Sequence, residues 1–283
     1  MWPSAIAALL AVVVVVVVAM VVSDDADAPG GAVAGGGITG GDFHSLVADP
    51  TRPDRLFVGG HQAVSMSDDG GGTWVTISGL DDADAMGWAF IDDRVWVSGH
   101  PGITSSTAGM EGFERRNDGL PDSDIHALGA AGESLIAAGP AVGTIGSIDG
   151  GVTWEPLSQG HGQSFFGRIA ADAADPSHLV AADAAAGPVE SRDGGRTWTL
   201  LKEFPVAWVS ASDDLDVIVA SGPSGAIRSS DGGVTWEAME LPAGATLVEL
   251  DPHVGGRVFA GVHDGDAVTV RVSLDNGATW GTP

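Results

Sequence analysis

Aspartate and histidine recur together at several points of this chain, and their pairing is the first sign of chemistry. The segments DFH (42–44) and DIH (124–126) share one spacing, and DAM (84–86) stands where a third copy is expected. Neighbouring carboxyl groups can act as general acid and base, as in glycoside hydrolysis. Imidazole and carboxylate together also suit zinc and similar divalent metals. The candidate catalytic residues are therefore Asp42, Asp84 and Asp124.

The elements that must position these residues are set by a motif that occurs five times. Each copy has the form Ser-x-Asp-Gly/Asn-Gly-x-Thr-Trp, at residues 67–74, 147–154, 191–198, 229–236 and 273–280. The glycine pair supplies positive φ in a tight turn, the aspartate accepts backbone hydrogen bonds, and Thr-Trp begins a strand. We expect a structural role for Asp69, Asp149, Asp193, Asp231, Asp275, Trp74, Trp154, Trp198, Trp236 and Trp280.

The spacing of this motif predicts a repeat of about 40 residues. The interval between Trp74 and Trp154 is twice that length and leaves room for a decayed copy near residues 105–113. Each repeat reads as four short strands separated by turn signals. Six repeats fill residues 42–283 and predict an all-β fold, a six-bladed β-propeller. Seven blades are the alternative if the segment before residue 42 contributes more.

The motif resembles the Asp-box, or bacterial neuraminidase repeat, and residues 43–50, 54–61 and 94–102 extend the similarity. Asp-box propellers include sialidases, sortilin-type receptors, xyloglucanases and a photosystem assembly factor. The wider pattern is similar to bacterial sialidase-like proteins labelled glycosyl hydrolases. The resemblance covers almost everything after residue 41. It implies the propeller fold and is compatible with an enzyme, a receptor or an assembly factor.

Strand order within each repeat sorts the histidines onto two faces. In a four-stranded meander, the loop before the first strand and the loop after the second lie on one face, and the box turn lies on the other. We call the first the histidine face, because it receives six of the eight histidines: His44, His61, His100, His126, His161 and His263. His178 and His253 fall on the opposite, box face. Asp264 and Asp266 join the histidine face together with the three candidate catalytic aspartates.

The histidine face is predicted to bind a glycan or a protein partner, because polar loops held on a rigid scaffold commonly carry function. The expected binding residues are His44, His61, His100, His126, His263 and Asp264. A divalent metal site is an alternative, but the spacing matches no dedicated metal motif, so no metal ligand and no cofactor is assigned. Candidate stacking groups are Trp88, Trp96, Phe165, Phe166 and Trp208, although their strand patterns favour the core.

Composition argues against sialidase chemistry. A sialidase uses a tyrosine nucleophile, and this chain contains no tyrosine. The resemblance would also require three arginines around the substrate carboxylate, whereas only Arg168 falls in a first strand near the axis. A glycoside hydrolase with a carboxylate pair on the histidine face is the alternative to non-catalytic binding. Duplication alone also explains equivalent aspartates, so the balance favours binding.

Charge and the N-terminal segment bear on partners and location. A formal net charge of −26 excludes nucleic acid as a partner, because phosphate backbones would be repelled. Residues 1–22 are predicted to form a signal anchor or transmembrane helix, with an uncharged run at residues 5–22. Residues 23–41 are predicted to be a flexible linker, of which residues 32–39 pair with the last blade.

Two cellular locations are compatible with this N-terminal segment. The candidate cleavage site at residues 26–28 is followed directly by Pro29, which disfavours cleavage. We therefore expect a single-pass anchor in the cell membrane with the propeller outside the cytoplasm. Secretion is the alternative.

Overall fold

The computed structural model describes residues 33–107 and 110–283, and all regular structure in these residues is β-strand. The predicted membrane segment at residues 5–22 and the first part of the linker lie outside the described residues. Within the described ranges, no helix has the length and apolar character needed to cross a bilayer.

Two short strands precede a series of antiparallel meanders. They are β1 (Val33–Ala34) and β2 (Gly37–Ile38). The first meander comprises β3 (Phe43–Ala48), β4 (Leu56–Gly60), β5 (Val64–Ser67) and β6 (Thr73–Thr76). The second comprises β7 (Gly87–Ile91), β8 (Arg94–Gly99), β9 (Gly102–Thr107) and β10 (Glu111–Arg115). The third comprises β11 (Ala127–Ala131), β12 (Ser134–Gly139), β13 (Gly143–Ser147) and β14 (Glu155–Ser158).

The remaining meanders follow the same pattern. The fourth comprises β15 (Phe165–Ala171), β16 (Leu179–Asp183), β17 (Gly187–Ser191) and β18 (Thr199–Leu200). The fifth comprises β19 (Trp208–Ala211), β20 (Ile218–Gly222), β21 (Gly225–Ser229) and β22 (Glu237–Met239). The last has three strands, β23 (Ala245–Leu250), β24 (Val258–Asp264) and β25 (Ala267–Ser273).

The first strands of successive meanders contact one another in chain order and enclose a central axis. Contacts run from β7 through β11, β15, β19 and β23 to β3, and a short parallel pairing joins β11 to β15. The ring closes between β3 and β7. There the Ser45 hydroxyl donates to the Ala85 carbonyl at 2.8 Å and accepts from Trp88 Nε1 at 2.9 Å.

The N-terminal strands join the two ends of the chain. Strand β2 pairs with β25, with Gly37 opposite Val268, and supplies the outer strand that the last meander lacks. The predicted pairing of residues 32–39 with the last repeat is therefore right for β2, whereas β1 pairs with β6 of the first meander. Regular structure thus begins upstream of residue 42, inside the segment expected to be a linker.

The five motif copies fold into the same turn. In the first, Asp69 Oδ1 accepts from the Ser67 hydroxyl at 2.7 Å and from Thr73 N at 2.9 Å, while Oδ2 accepts the Thr73 hydroxyl at 2.7 Å. Trp74 Nε1 donates to the Gly71 carbonyl at 3.0 Å. The aspartate contacts recur in all copies. The tryptophan hydrogen bond differs only in the last copy, where Trp280 Nε1 donates to the Glu240 carbonyl.

Apolar side chains fill the spaces between adjacent sheets. Phe57 stacks on Trp88 with ring centroids 5.1 Å apart, and Phe165 meets Trp198 edge to face at 4.8 Å. The motif tryptophans contribute unequally. Trp74, Trp154 and Trp198 are buried, whereas Trp236 and Trp280 are half-buried. Burial of such large rings between sheets is a main source of stability in this architecture.

Candidate functional site

Asp84 lies at the centre of the histidine face and is 4% exposed. Its Oδ1 atom lies 3.2 Å from His44 Nε2 and 3.3 Å from His61 Nδ1, and its Oδ2 atom contacts His100 Nδ1. His44 and His61 belong to the first meander, whereas Asp84 and His100 belong to the second. Three imidazoles from two adjacent meanders therefore converge on one carboxylate.

Asp124 extends the cluster to the third meander. Its Oδ1 atom lies 2.8 Å from His126 Nε2 and 3.7 Å from His100 Nε2. The ring of Phe166, from the fourth meander, approaches His44 and His126 with centroid distances of 5.8 and 5.9 Å. The polar cluster is thus backed by an aromatic ring near the axis. We call the set of Asp42, His44, His61, Asp84, His100, Asp124 and His126 the His/Asp cluster.

Glycines at strand ends fix the backbone that carries this cluster. The second strands of the first three meanders end at Gly60, Gly99 and Gly139. A Cβ atom there would lie 2.0 to 2.1 Å from the backbone carbonyl oxygens of Asp42, Asp84 and Asp124, respectively. Because glycine has no Cβ atom, each aspartate backbone can lie directly against a strand end. His61 and His100 follow Gly60 and Gly99 in sequence and are thereby brought to the same place.

The backbone of Asp84 adopts an uncommon conformation. Its φ of 51° lies in the left-handed region, which few residues other than glycine enter readily and which aspartate tolerates better than most. Backbone strain of this kind is concentrated at functional sites. The conformation aims a buried carboxylate at the histidines.

The charge state of Asp84 follows from its neighbours. Burial alone would raise the pKa of this carboxyl group. The contact with His44, together with the charges of His44, His100 and His61, outweighs burial and holds the pKa below its usual value. Asp84 is therefore an anion at neutral pH.

Several polar atoms of the His/Asp cluster lack a hydrogen-bond partner. They are both carboxylate oxygens of Asp84, Asp124 Oδ1 and the Nε2 atoms of His44 and His126. The close approaches given above are ion-pair contacts between carboxylates and imidazoles of the same cluster. Two donor sets also have all their ligand atoms within 4.8 Å of one another: Asp42, His44 and His61, and His100, Asp124 and His126.

The remaining residues predicted on the histidine face lie apart from Asp84. His263 lies beside Phe43, with ring centroids 6.0 Å apart, and Asp264 is exposed at the end of β24. The predicted box-face histidines make other contacts: His178 Nε2 lies 3.0 Å from Glu190 Oε1, and His253 Nε2 lies 2.9 Å from the Asp49 carbonyl.

The candidate stacking groups are mostly part of the core. Trp88, Trp96, Phe165 and Trp208 are at most 3% exposed. Phe166 alone among the five reaches the His/Asp cluster. The histidine face therefore lacks the row of exposed rings that the other four residues would have supplied.

The three candidate catalytic aspartates differ in their surroundings. Asp42 is exposed and Asp124 is half-buried, whereas Asp84 is enclosed. The imidazole of His100 stands between the carboxylates of Asp84 and Asp124. A general acid must keep its proton at working pH, and the lowered pKa of Asp84 opposes that role.

One buried carboxylate at the axis was missed by sequence reasoning. Glu249 in β23 is 1% exposed and accepts hydrogen bonds from Trp208 Nε1 at 3.0 Å and Ala48 N at 3.3 Å. Arg168 lies 3.4 Å from the same carboxylate. The signal was available, because Glu249 in ATLVELDP (245–252) occupies the position of Val47 in FHSLVADP (43–50).

An open cavity lies beside the His/Asp cluster. Its volume is about 390 Å³, and it is lined by His61, Asp82, Asp84, His100 and Pro101. The side chains of His61 and His100 are about half exposed there, at 53% and 51%. A ligand on the histidine face can therefore reach imidazole nitrogens directly.

Neither a protein-family profile nor a curated protein matches this chain. Solved structures do. A GH74 xyloglucanase from Xanthomonas campestris gives a TM-score of 0.59 at 15% identity over 89% of this chain and 46% of the enzyme. A nidogen/laminin complex gives a TM-score of 0.61 at 11% identity over 81% of this chain and 93% of that one.

YCF48 is a third neighbour. The protein from Cyanidioschyzon merolae gives a TM-score of 0.54 at 17% identity, over 89% of this chain and 88% of that one. YCF48 bound to D1 peptide gives 0.51 at 14% identity, over 86% and 97%. This chain spans less than half the length of the GH74 enzymes it matches, 37% and 46%. Identities this low show the fold alone, which is an all-β propeller.

Proposed function

We propose that this protein is a six-bladed Asp-box propeller that binds a protein partner on its histidine face without catalysing a reaction. The observation that carries the proposal is the His/Asp cluster. Two adjacent meanders place three imidazoles around a buried anion, and two of the rings remain half exposed. Such preorganised polar groups on a rigid ring suit non-covalent recognition.

Charge and aromatic placement favour a protein ligand with basic residues. The formal net charge of −26 attracts cationic segments and raises their rate of association. A glycan ligand, the other class expected from the sequence, would find few exposed rings on this face. YCF48 is a neighbour solved with a bound peptide, and another neighbour is a chain of a nidogen/laminin complex. Both support a protein ligand here.

A glycoside hydrolase is the second candidate, favoured by the GH74 neighbours. The surroundings of Asp84 weigh against it, since that carboxylate is held by histidines and has a lowered pKa. The location we propose is a cell membrane, with residues 5–22 as a single-pass anchor and the propeller outside the cytoplasm. The uncharged run in that segment supports this placement.

Photocrosslinking in native membranes tests the proposal. A photoreactive residue replaces exposed Gln62 or Asp264 on the histidine face, and in matched variants it replaces Ile148 or Val234 at the tips of box turns. We expect a discrete protein adduct from the first pair and none from the second. Adducts from the box turns alone, or no adduct from either face, would contradict binding on the histidine face.

Enzyme assays separate the second candidate. The full-length chain is tested on a panel of glycosides beside an Asp42→Asn/Asp84→Asn/Asp124→Asn variant. We expect no turnover by either protein. Turnover by the parent that is lost in a folded variant would establish a hydrolase and replace the binding proposal.

A further inference from the structure

We infer that the His/Asp cluster is a binding site for a divalent transition-metal ion of the zinc class. The ligands are His44 Nε2, His61 Nδ1 and Asp84 Oδ1, with Asp42 as the fourth donor. This inference goes beyond the partner proposal, because it concerns a metal ion held by the chain itself, although both draw on the His/Asp cluster.

The distances between donor atoms fit such an ion. In a tetrahedral zinc site with bonds near 2.0 to 2.1 Å, neighbouring donors lie about 3.3 Å apart. Asp84 Oδ1 lies 3.2 Å from His44 Nε2 and 3.3 Å from His61 Nδ1. Asp42, His44 and His61 also bring one donor atom each to within 4.8 Å of the others. Asp84 Oδ1 therefore lies at tetrahedral donor spacing from two imidazole nitrogens, and Asp42 lies near the same two histidines.

The burial of these polar atoms supplies a further argument. Both oxygens of Asp84 and the Nε2 atom of His44 are buried without a hydrogen-bond partner. Buried polar groups are almost always paired, and a buried carboxylate left unpaired is costly. The donor atoms face one another at close range instead of pairing with hydrogen-bonding groups elsewhere. A cation at the primary site would satisfy Asp84 Oδ1 and His44 Nε2 together, while Asp84 Oδ2 faces His100.

A second donor set adjoins the first through the same carboxylate. Asp84 Oδ2 contacts His100, and His100, Asp124 and His126 again bring one donor atom each to within 4.8 Å of the others. Asp84 can therefore serve ions on both of its oxygens. The first set is the primary site, because its donor distances match tetrahedral geometry more closely.

The donor types select the class of metal. Imidazole nitrogen and carboxylate oxygen suit zinc, cobalt, nickel and copper, whereas calcium and magnesium prefer oxygen donors alone. The chain has no cysteine, so thiolate ligands are excluded. The half-exposed ring of His61 and the exposed Asp42 leave a path by which an ion can enter.

Metal loading of the full-length chain tests the inference. The protein is purified in detergent without a polyhistidine tag, stripped with a chelator, and titrated with Zn²⁺ and with Co²⁺. We expect at least one ion per chain by elemental analysis. Bound Co²⁺ should also give visible absorption bands of a nitrogen- and oxygen-ligated ion. Failure to retain a stoichiometric ion of either metal would overturn the inference.

Variants assign the ligands. His44→Ala/His61→Ala removes two imidazoles from the primary site, and His161→Ala/His253→Ala removes two imidazoles elsewhere. Because loss of outer-shell partners costs 10- to 100-fold in metal affinity, loss of two ligands should cost more than about 100-fold. The control should bind as the parent does. Equal losses in both double variants would overturn the assignment.

Two milder variants guard against loss of the fold. His61→Ala alters a half-exposed side chain, and Asp84→Asn keeps the shape of the buried group. Both should lower Zn²⁺ affinity while tryptophan fluorescence and the unfolding transition show a folded protein. Full metal affinity in a folded Asp84→Asn protein would contradict the proposed ligand set.

Discussion

Aspartate has two different roles in this molecule, and the surroundings of each carboxylate determine its role. In the motif turns the carboxylate is open to solvent and collects hydrogen bonds from its own loop. Asp84 is instead enclosed, has no hydrogen-bond partner and faces imidazoles of two meanders. Hydrogen bonds in the first environment stabilise a turn, and the enclosed anion of the second forms a site for a cation.

The dependence of stability on acid pH tests the role of the turn aspartates. Hydrogen bonds from the side chain and backbone of Thr153 and from Ser147 lower the pKa of Asp149 from 3.8 to about 2. A lowered carboxyl pKa stabilises the fold above the ordinary pKa, and that contribution is lost as pH falls through the folded value. The urea midpoint of Asp149→Asn should therefore lie below that of the parent at pH 5, with a gap that narrows towards pH 2.

Thr153→Val is the matched variant for this prediction, because it removes the hydroxyl that Asp149 Oδ2 accepts. It should reproduce part of the gap with the same pH dependence. A gap that stays constant from pH 5 to pH 2 would show that the charge of Asp149 is not what stabilises the turn.

The local interactions of the motif could be predicted from the sequence. The hydrogen bonds of the motif lie within eight consecutive residues, so their pattern could be predicted from spacing. The convergence of His44, His61 and His100 on Asp84 joins residues on two meanders and depends on how the ring closes. Glu249 was missed because a single acidic residue in a strand is usually exposed, and its burial depends on the neighbouring meanders.

At the scale of elements, the site depends on how second strands end. Gly60, Gly99 and Gly139 allow the backbone before each first strand to lie against the end of the second strand of the same meander. A glycine at the end of each second strand therefore positions all three candidate aspartates in the same way. At each of these glycines there is no space for even a methyl group.

Gly99→Ala tests this role of the glycine. The added Cβ would lie 2.1 Å from the Asp84 carbonyl oxygen, so the backbone must move. We expect a loss of about 1 to 3 kcal/mol in the free energy of unfolding, together with weaker Zn²⁺ binding. Gly160→Ala is the control, because nothing lies within 4 Å of its added Cβ. Equal stability of the two variants by thermal unfolding would contradict the packing argument.

The N-terminal strand β2 completes the last meander as a separate element. Without it, β25 would present an edge paired only at Val272, by the bridge to Gly281, and unpaired strand edges promote aggregation. A chain that begins at residue 41 should therefore unfold at a lower temperature and aggregate more than one that begins at residue 31. Thermal unfolding and size-exclusion chromatography of the two chains measure this. Identical behaviour would show that the β2–β25 pairing contributes little.

At the scale of the whole molecule, Glu249 ties several meanders together at the axis. Its carboxylate meets β3 at Ala48, β15 at Arg168 and β19 at Trp208. Burial raises the pKa of Glu249, although Arg168 and Trp208 oppose that effect. This contact set makes Glu249 a link across the ring that no single repeat could supply.

Substitution of Glu249 measures the value of that link. Glu249→Ala leaves the indole N–H of Trp208 and the charge of Arg168 without their partner, and it should cost about 3 to 5 kcal/mol. Glu249→Gln keeps an acceptor for Trp208 and should cost less than half as much. Urea unfolding of both variants is the measurement. Similar losses would show that the charge, rather than the hydrogen bonds, holds the ring.

The central claim is that Asp84 and the imidazoles around it form a built ligand site. Anomalous X-ray scattering from crystals of the full-length protein loaded with Zn²⁺ tests this most directly. We predict a zinc peak bounded by His44, His61 and Asp84, at about 2.0 to 2.2 Å from their donor atoms. A map from zinc-loaded crystals with no peak at the His/Asp cluster, or with zinc only at surface carboxylates, would contradict the claim.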